Sequence, residues 1–260
     1  MRSIALLAIL SIAPAARALP KAVAAADLEE HLGARVPASL PFVDEKDARV
    51  TLGDYFRDGK PVLLVLAYYR CPMLCDLVLR GVADSVARQG LVLGRDFRAL
   101  TVSFDPRDKP AAAALKQHGL LQAVNHPESA ASWPFLVGAE RDVRALADRV
   151  GFGYAYDAST DQYAHPACAI VLTPDGRVSR YLYGVKFRPI DVRLALDEAA
   201  GGRIGTITDR VLLTCFRYDP SQRRYGLYVS GALKGGAALV LLIVGGMLGA
   251  LWLRERRSRA

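Results

Sequence analysis

Between about Leu19 and Gly202 the sequence has no internal repeat and no low-complexity tract. That excludes a repeat array and leaves enough chain for one domain with a sizeable core. A charge excess that would demand nucleic acid is also missing. The 260-residue chain carries a formal charge of +8. However, Arg2 and Arg17 lie at the amino end, four Arg and one Glu crowd the tail after Leu253, and Lys234 precedes an apolar run. What remains is close to neutral, so no nucleic-acid partner is expected. Cysteine and histidine are scarce, at four each, so each can be weighed singly.

The two ends read as targeting and topology. Met1-Arg2, an apolar stretch from Ile4 to Ala15, and Ala16-Arg17-Ala18 form a secretory signal with small residues at the cleavage positions. Its apolar core is too short to span a bilayer, and cleavage after Ala18 is expected. From Gly235 to Leu253 there is no charged residue, a length that suits a tilted transmembrane helix. The basic tail from Arg254 to Arg259 places residues 254–260 in the cytoplasm. Residues 19–234 then lie outside, in an inner or plasma membrane protein with a single span, where an oxidising environment lets cysteines pair. Residues 203–234 form a connector.

Within the exported part, a helical lead is expected over Val23 to Leu32 and a short strand over Ala48 to Leu52. Pro61 to Tyr68 is apolar on successive residues, the mark of a central strand buried on both faces. A helix from about Pro72 to Gln89 leads to a strand from Phe97 to Phe104, and a further helix follows Asp108-Lys109-Pro110. This is a βαβ crossover with parallel strands. An extended segment at Trp133 to Val137 precedes a helix from Glu140 to Val150. Strands Ala169–Thr173 and Val178–Tyr183 flank Pro174-Asp175-Gly176, a hairpin turn with glycine where positive φ is wanted. A helix from Asp191 to Ala200 closes the domain. The pattern describes an α/β thioredoxin-like sandwich over residues 19–202.

Cys71 and Cys75 sit where the first core strand meets its helix. With Pro72 in the first turn the two thiols share a helix face, roughly 5–6 Å apart at Cβ. They can form a disulfide or turn toward one ion. The helix N-terminus and adjacent Arg70 should lower both thiol pKa values. Apolar packing alone would need neither this spacing nor Arg70 and Pro72. The chemistry is redox or soft-metal binding.

These residues resemble the SCO/SenC family, thioredoxin-fold copper proteins of cytochrome c oxidase assembly. The resemblance is carried by Gly59-Lys60-Pro61-Val62-Leu63-Leu64, Tyr69-Arg70-Cys71-Pro72-Met73-Leu74-Cys75 and Ser103-Phe104-Asp105-Pro106-Arg107-Asp108. Trp133-Pro134-Phe135-Leu136-Val137-Gly138 and His165 ahead of Leu172-Thr173-Pro174-Asp175-Gly176 complete it. It implies that Cys71, Cys75 and His165 bind one copper, as Cu(I) or Cu(II). It further implies a copper-accepting subunit of a respiratory haem-copper oxidase as partner, and a copper donor or thiol reductant upstream. The sequence departs from the family pattern in three places. Met73-Leu74 stands where the family has an acidic residue between the cysteines, Asp76 follows the second cysteine, and Ala164 precedes His165.

Other residues have simpler roles. Met73 carries a thioether, a further soft donor, but on an apolar helix turn its expected role is packing. Cys168, entering a strand, reads as a buried small hydrophobe, and Cys215 has no chemical assignment. His31, His118 and His126 read as surface residues, and Asp105 and Asp108 as a turn and an N-cap. The main rival function is a membrane-tethered thiol–disulfide oxidoreductase, with Cys71 as attacking thiolate and Cys75 as resolving thiol. The three-residue spacer and His165 favour metal. A peroxidase lacks any clear peroxide-binding constellation.

Overall fold

The computed structural model describes residues 26–123 and 127–205. It also describes the strands Phe216–Asp219 and Arg224–Leu227 and helical residues 240–242, 244–247, 252 and 254. The chain divides into two compact units, residues 1–203 and 204–260.

In the first unit, strands β1 (Pro41–Val43) and β2 (Arg49–Thr51) form a small hairpin. The Asp44 carboxylate stabilises its turn by accepting from the backbone N–H groups of Lys46 and Ala48. The main sheet comprises β3 (Val62–Ala67), β4 (Arg98–Ser103), β5 (Phe135–Leu136), β8 (Cys168–Leu172) and β9 (Val178–Tyr183). Its order is β5-β4-β3-β8-β9. β3 pairs in parallel with β4, which pairs in parallel with β5, whereas β8 runs antiparallel to both β3 and β9. All six residues of β3 and all five of β8 are buried. That explains their unbroken apolar sequences, because alternation is lost when both faces of a sheet are covered.

Helix α1 (Leu74–Val86) makes the crossover from β3 to β4, burying Cys75, Val78, Leu79, Val82 and Ala83 along one stripe. Gly81 lets it approach the chain after β9. A Cβ there would lie 2.1 Å from the Val185 carbonyl oxygen, so any side chain would push the helix off. Helices α2 (Pro110–Ala123), α3 (Glu140–Arg149) and α4 (Pro189–Ala200) complete the layers. Trp133 is fully buried beneath β4 and donates from Nε1 to the Thr101 hydroxyl at 2.9 Å. The β8–β9 turn carries Gly176 at φ 77°, as its sequence requires.

Two expectations are corrected. No helix occupies residues 26–32: Leu28 bridges to Phe152, and the Glu29 N–H donates to the Gly151 carbonyl. Tertiary pairing there outweighs local helix propensity. α1 begins at Leu74 rather than Pro72 and ends at Val86 rather than Gln89. Two strands that the sequence did not announce, β6 (Ala155–Asp157) and β7 (Gln162–Ala164), form a hairpin ahead of His165.

In the second unit, Phe216–Asp219 pairs antiparallel with Arg224–Leu227. Among the described residues no helix is long and apolar enough to cross a membrane. The signal sequence, Cys215, His126 and most of the span expected over 235–253 lie outside the described residues.

Candidate metal centre

The site lies where β3 runs out and α1 begins. After Ala67 the chain turns through Tyr68 to Cys71, closed by a Cys71 N–H bond to the Tyr68 carbonyl. Cys71 stands just ahead of the helix, and Cys75 lies in its first turn, 1% exposed. The Cys75 N–H donates to Cys71 Sγ at 3.3 Å, and the Tyr68 N–H to Cys75 Sγ at 3.4 Å. The separate β6–β7 hairpin, ahead of β8, leads directly to His165. Its Nε2 lies 3.4 Å from Cys75 Sγ.

His165 Nδ1 faces the Pro166 carbonyl oxygen at 3.0 Å. A carbonyl only accepts, so Nδ1 carries the proton and Nε2 presents its lone pair to the cysteines. Phe104, Phe152 and Tyr68 pack around the imidazole. The ligand atoms of Cys71, Cys75 and His165 all lie within 4.8 Å of one another. Two sulfurs and one ring nitrogen converging in a largely apolar pocket fit a soft ion and could hold copper.

The two thiols are not equivalent, which corrects the expectation that both pKa values fall. The hydrogen bond from Cys75 is the largest cause holding Cys71 well below the ordinary thiol range. The N–H groups of Cys75 and Met73 add to it against the cost of burial. Burial pushes Cys75 up, and the neighbouring Cys71 charge reinforces this. The helix N-terminus therefore serves one sulfur only. Arg70 contributes less than expected, because its guanidinium is met by Asp105 at 2.8 Å and Asp108 at 3.7 Å.

The pair should thus hold one thiolate and one thiol at neutral pH. Cys71 keeps its negative charge as pH falls below the ordinary thiol range, while Cys75 keeps its proton as pH rises through it. Alkylation of the reduced chain at pH 6, followed by peptide mass spectrometry, should modify Cys71 at least about tenfold faster than Cys75. Equal rates, or reaction only above pH 8, would reverse the assignment.

Asp105 makes the expected turn, accepting from the Arg107 N–H, but Asp108 is not the expected N-cap, because its carboxylate turns back to β4 and the chain after β3. Asp108 Oδ2 accepts from the Tyr69 N–H at 2.7 Å and the Ser103 hydroxyl at 2.6 Å. It thereby pins the segment leading into Cys71 to the end of β4. Asp105 is buried beneath Arg70 and Arg107, and Arg107 reaches on to Asp161 at the β6–β7 turn, at 2.8 Å. Burial opposes ionisation of Asp105, yet the bonds from Arg107 and Arg70 outweigh it and hold its carboxyl below the usual range. For Asp108 burial wins, and its carboxyl is pushed up despite the Ser103 and Tyr69 bonds.

Cys168 is 2% exposed and is not in the ligand group; burial raises its thiol to about 12, so it behaves as the expected small hydrophobe. His31 is a partly exposed surface residue whose Nδ1 lies 3.2 Å from the Arg149 carbonyl oxygen. His118 is exposed. Met73 is not packed, with 59% of its surface exposed.

A thioredoxin-like α/β domain with a cysteine pair at the first strand–helix junction and a histidine brought beside it defines a class of thiol-dependent metal or redox proteins. The SCO1/SenC family model matches residues 29–198, and the chain belongs to that family. No curated protein sequence matches it. Among solved structures, one from Aquifex aeolicus VF5 superposes with a TM-score of 0.57 at 24% identity, covering 66% of this chain and 95% of that one. ScoI of Bradyrhizobium japonicum, solved with copper bound, gives a TM-score of 0.50 at 21% identity, over 63% and 99% of the two chains. BsSco, a Sco family cytochrome c oxidase assembly protein with a disulfide switch, gives 0.51 at 21% identity, over 68% and 97%. These likenesses establish the shared fold.

Proposed function

We propose that this protein binds a single copper ion outside the cytoplasm and hands it to, or prepares the copper site of, a respiratory haem-copper oxidase. The observation that carries the reading is the convergence of Cys71, Cys75 and His165 within ligand distance of one another. Two thiolates and an imidazole suit Cu(I), and the same set can take Cu(II). Copper is cargo here, and it leaves by ligand exchange with the acceptor. The amino-terminal signal exports the domain. A single span over residues 235–253, with a cytoplasmic basic tail, holds it at the membrane surface within reach of a membrane-embedded acceptor.

Of the two thiols only Cys75 has a proton to give up on binding, because Cys71 is already poised as thiolate. The full chain, in detergent, reduced and anaerobic, should take up one tight equivalent of Cu(I) under chelator competition, releasing about one thiol proton per copper. No tight binding would sink the copper reading.

The low-lying Cys71 thiolate beside a buried thiol also supports exchange with disulfides, Cys71 attacking and Cys75 resolving. A chain that binds no copper but cycles readily between dithiol and disulfide would make that the principal activity.

A further inference from the structure

Met73 lies between the two cysteines, and neither packing nor helix capping explains it. It occupies the N-cap position of α1 and makes no side-chain cap bond. Helix N-caps favour Ser, Thr, Asp or Asn, whose oxygens accept from free N–H groups, which a thioether does poorly. Apolar burial does not account for the choice either, because the residue is 59% exposed while both flanking cysteines are buried. Its backbone is tied into the site, as its N–H supports the Cys71 sulfur and its carbonyl accepts from the Leu77 N–H. The side chain, two residues from either cysteine along the chain, is left in solvent. Methionine has three rotatable bonds and a polarisable sulfur, and thioethers select Cu(I) over harder ions.

We propose that Met73 is an exchange ligand: its thioether receives Cu(I) arriving at the surface and accompanies it as it leaves, while Cys71, Cys75 and His165 hold it at rest. This rests on the copper reading above. The step is pure ligand exchange. One Cu–S(thioether) bond forms as a bond to the outgoing donor breaks, copper stays Cu(I), and no proton moves because the thioether is neutral. A donor that binds weakly suits this role, since a strong fourth ligand would close the site and retard release.

The test uses the full chain in detergent, with Cu(I) exchanged to and from the chelator bicinchoninate, comparing the parent with Met73→Leu. Leucine keeps the apolar volume and removes only the sulfur. Both loading and release should slow about tenfold, the rate effect of losing one weak stabilising contact in the transition state. The bound equivalent and the equilibrium affinity should be little changed. Unchanged rates in a parent that binds one equivalent would overturn this role alone and leave the copper reading intact. A large affinity loss, with one fewer sulfur in the copper X-ray absorption spectrum, would make Met73 a resident ligand and overturn the exchange role. A parent that binds no copper would overturn both readings.

Discussion

Cys75→Ser should abolish tight Cu(I) binding, with affinity falling more than about a hundredfold, beyond the range for losing an outer-shell contact. Cys71→Ser should do the same, since serine replaces a soft thiolate by a hard hydroxyl that stays protonated. His165→Ala should leave a two-sulfur site that binds about 10–100-fold more weakly. None of the three should unfold the domain. Each cysteine-to-serine change alters a single atom within the core, and His165 is half-buried in the loop ahead of β8, so the packing of β3, β8 and the Trp133 region is kept. Circular dichroism should therefore match the parent while chelator competition does not. In cells all three variants should impair assembly of the oxidase copper centre, and normal assembly in all three would remove the functional reading.

Much of this was legible in the sequence because the signals are local. β9 falls on Val178–Tyr183 as read, since the Pro-Asp-Gly turn marks where the strand starts. β3 was legible because six successive buried residues cannot be mistaken for an amphipathic helix. The cysteine pair announced itself by spacing. What was not legible depends on partners far along the chain. The segment at residues 26–32 reads as a helix until Phe152 and Gly151 supply its backbone partners. Asp108 reads as a cap because its real donor, the Tyr69 N–H, lies 39 residues away. His165 reaches the cysteines only through the β6–β7 hairpin. Its turn signal, Asp157-Ala158-Ser159-Thr160-Asp161, was present, with Asp157 accepting from Ser159 and Asp161 at φ 51°. The inequality of the two thiols follows from the hydrogen bond that Cys75 gives Cys71 and from the deeper burial of Cys75, which spacing cannot convey.

Asp108→Ala should cost about 2–4 kcal/mol of stability, because it strands buried donors at Tyr69 and Ser103 and leaves Arg70 with one fewer carboxylate. The loss should reach the site as well. Tyr69 adjoins Tyr68, whose N–H contacts Cys75 Sγ, and the same turn sets Cys71. Cu(I) affinity should accordingly fall about tenfold although Asp108 touches no ligand atom. Asp108→Asn separates charge from hydrogen bonding, since its carbonyl oxygen can accept both bonds that the carboxylate accepts. The wild-type carboxyl is already biased by burial toward its neutral form, which the folded state holds more tightly than the unfolded chain does. Its own contribution to stability thus grows as pH falls, opposite in sign to that of Asp105, whose ion-paired carboxylate contributes at neutral pH and is lost on acidification. Asparagine should therefore recover most of the stability and copper affinity that alanine loses, with urea denaturation reporting the first and chelator competition the second. If alanine and asparagine behave alike, Asp108 acts through its charge on Arg70 rather than by pinning the backbone that leads into Cys71.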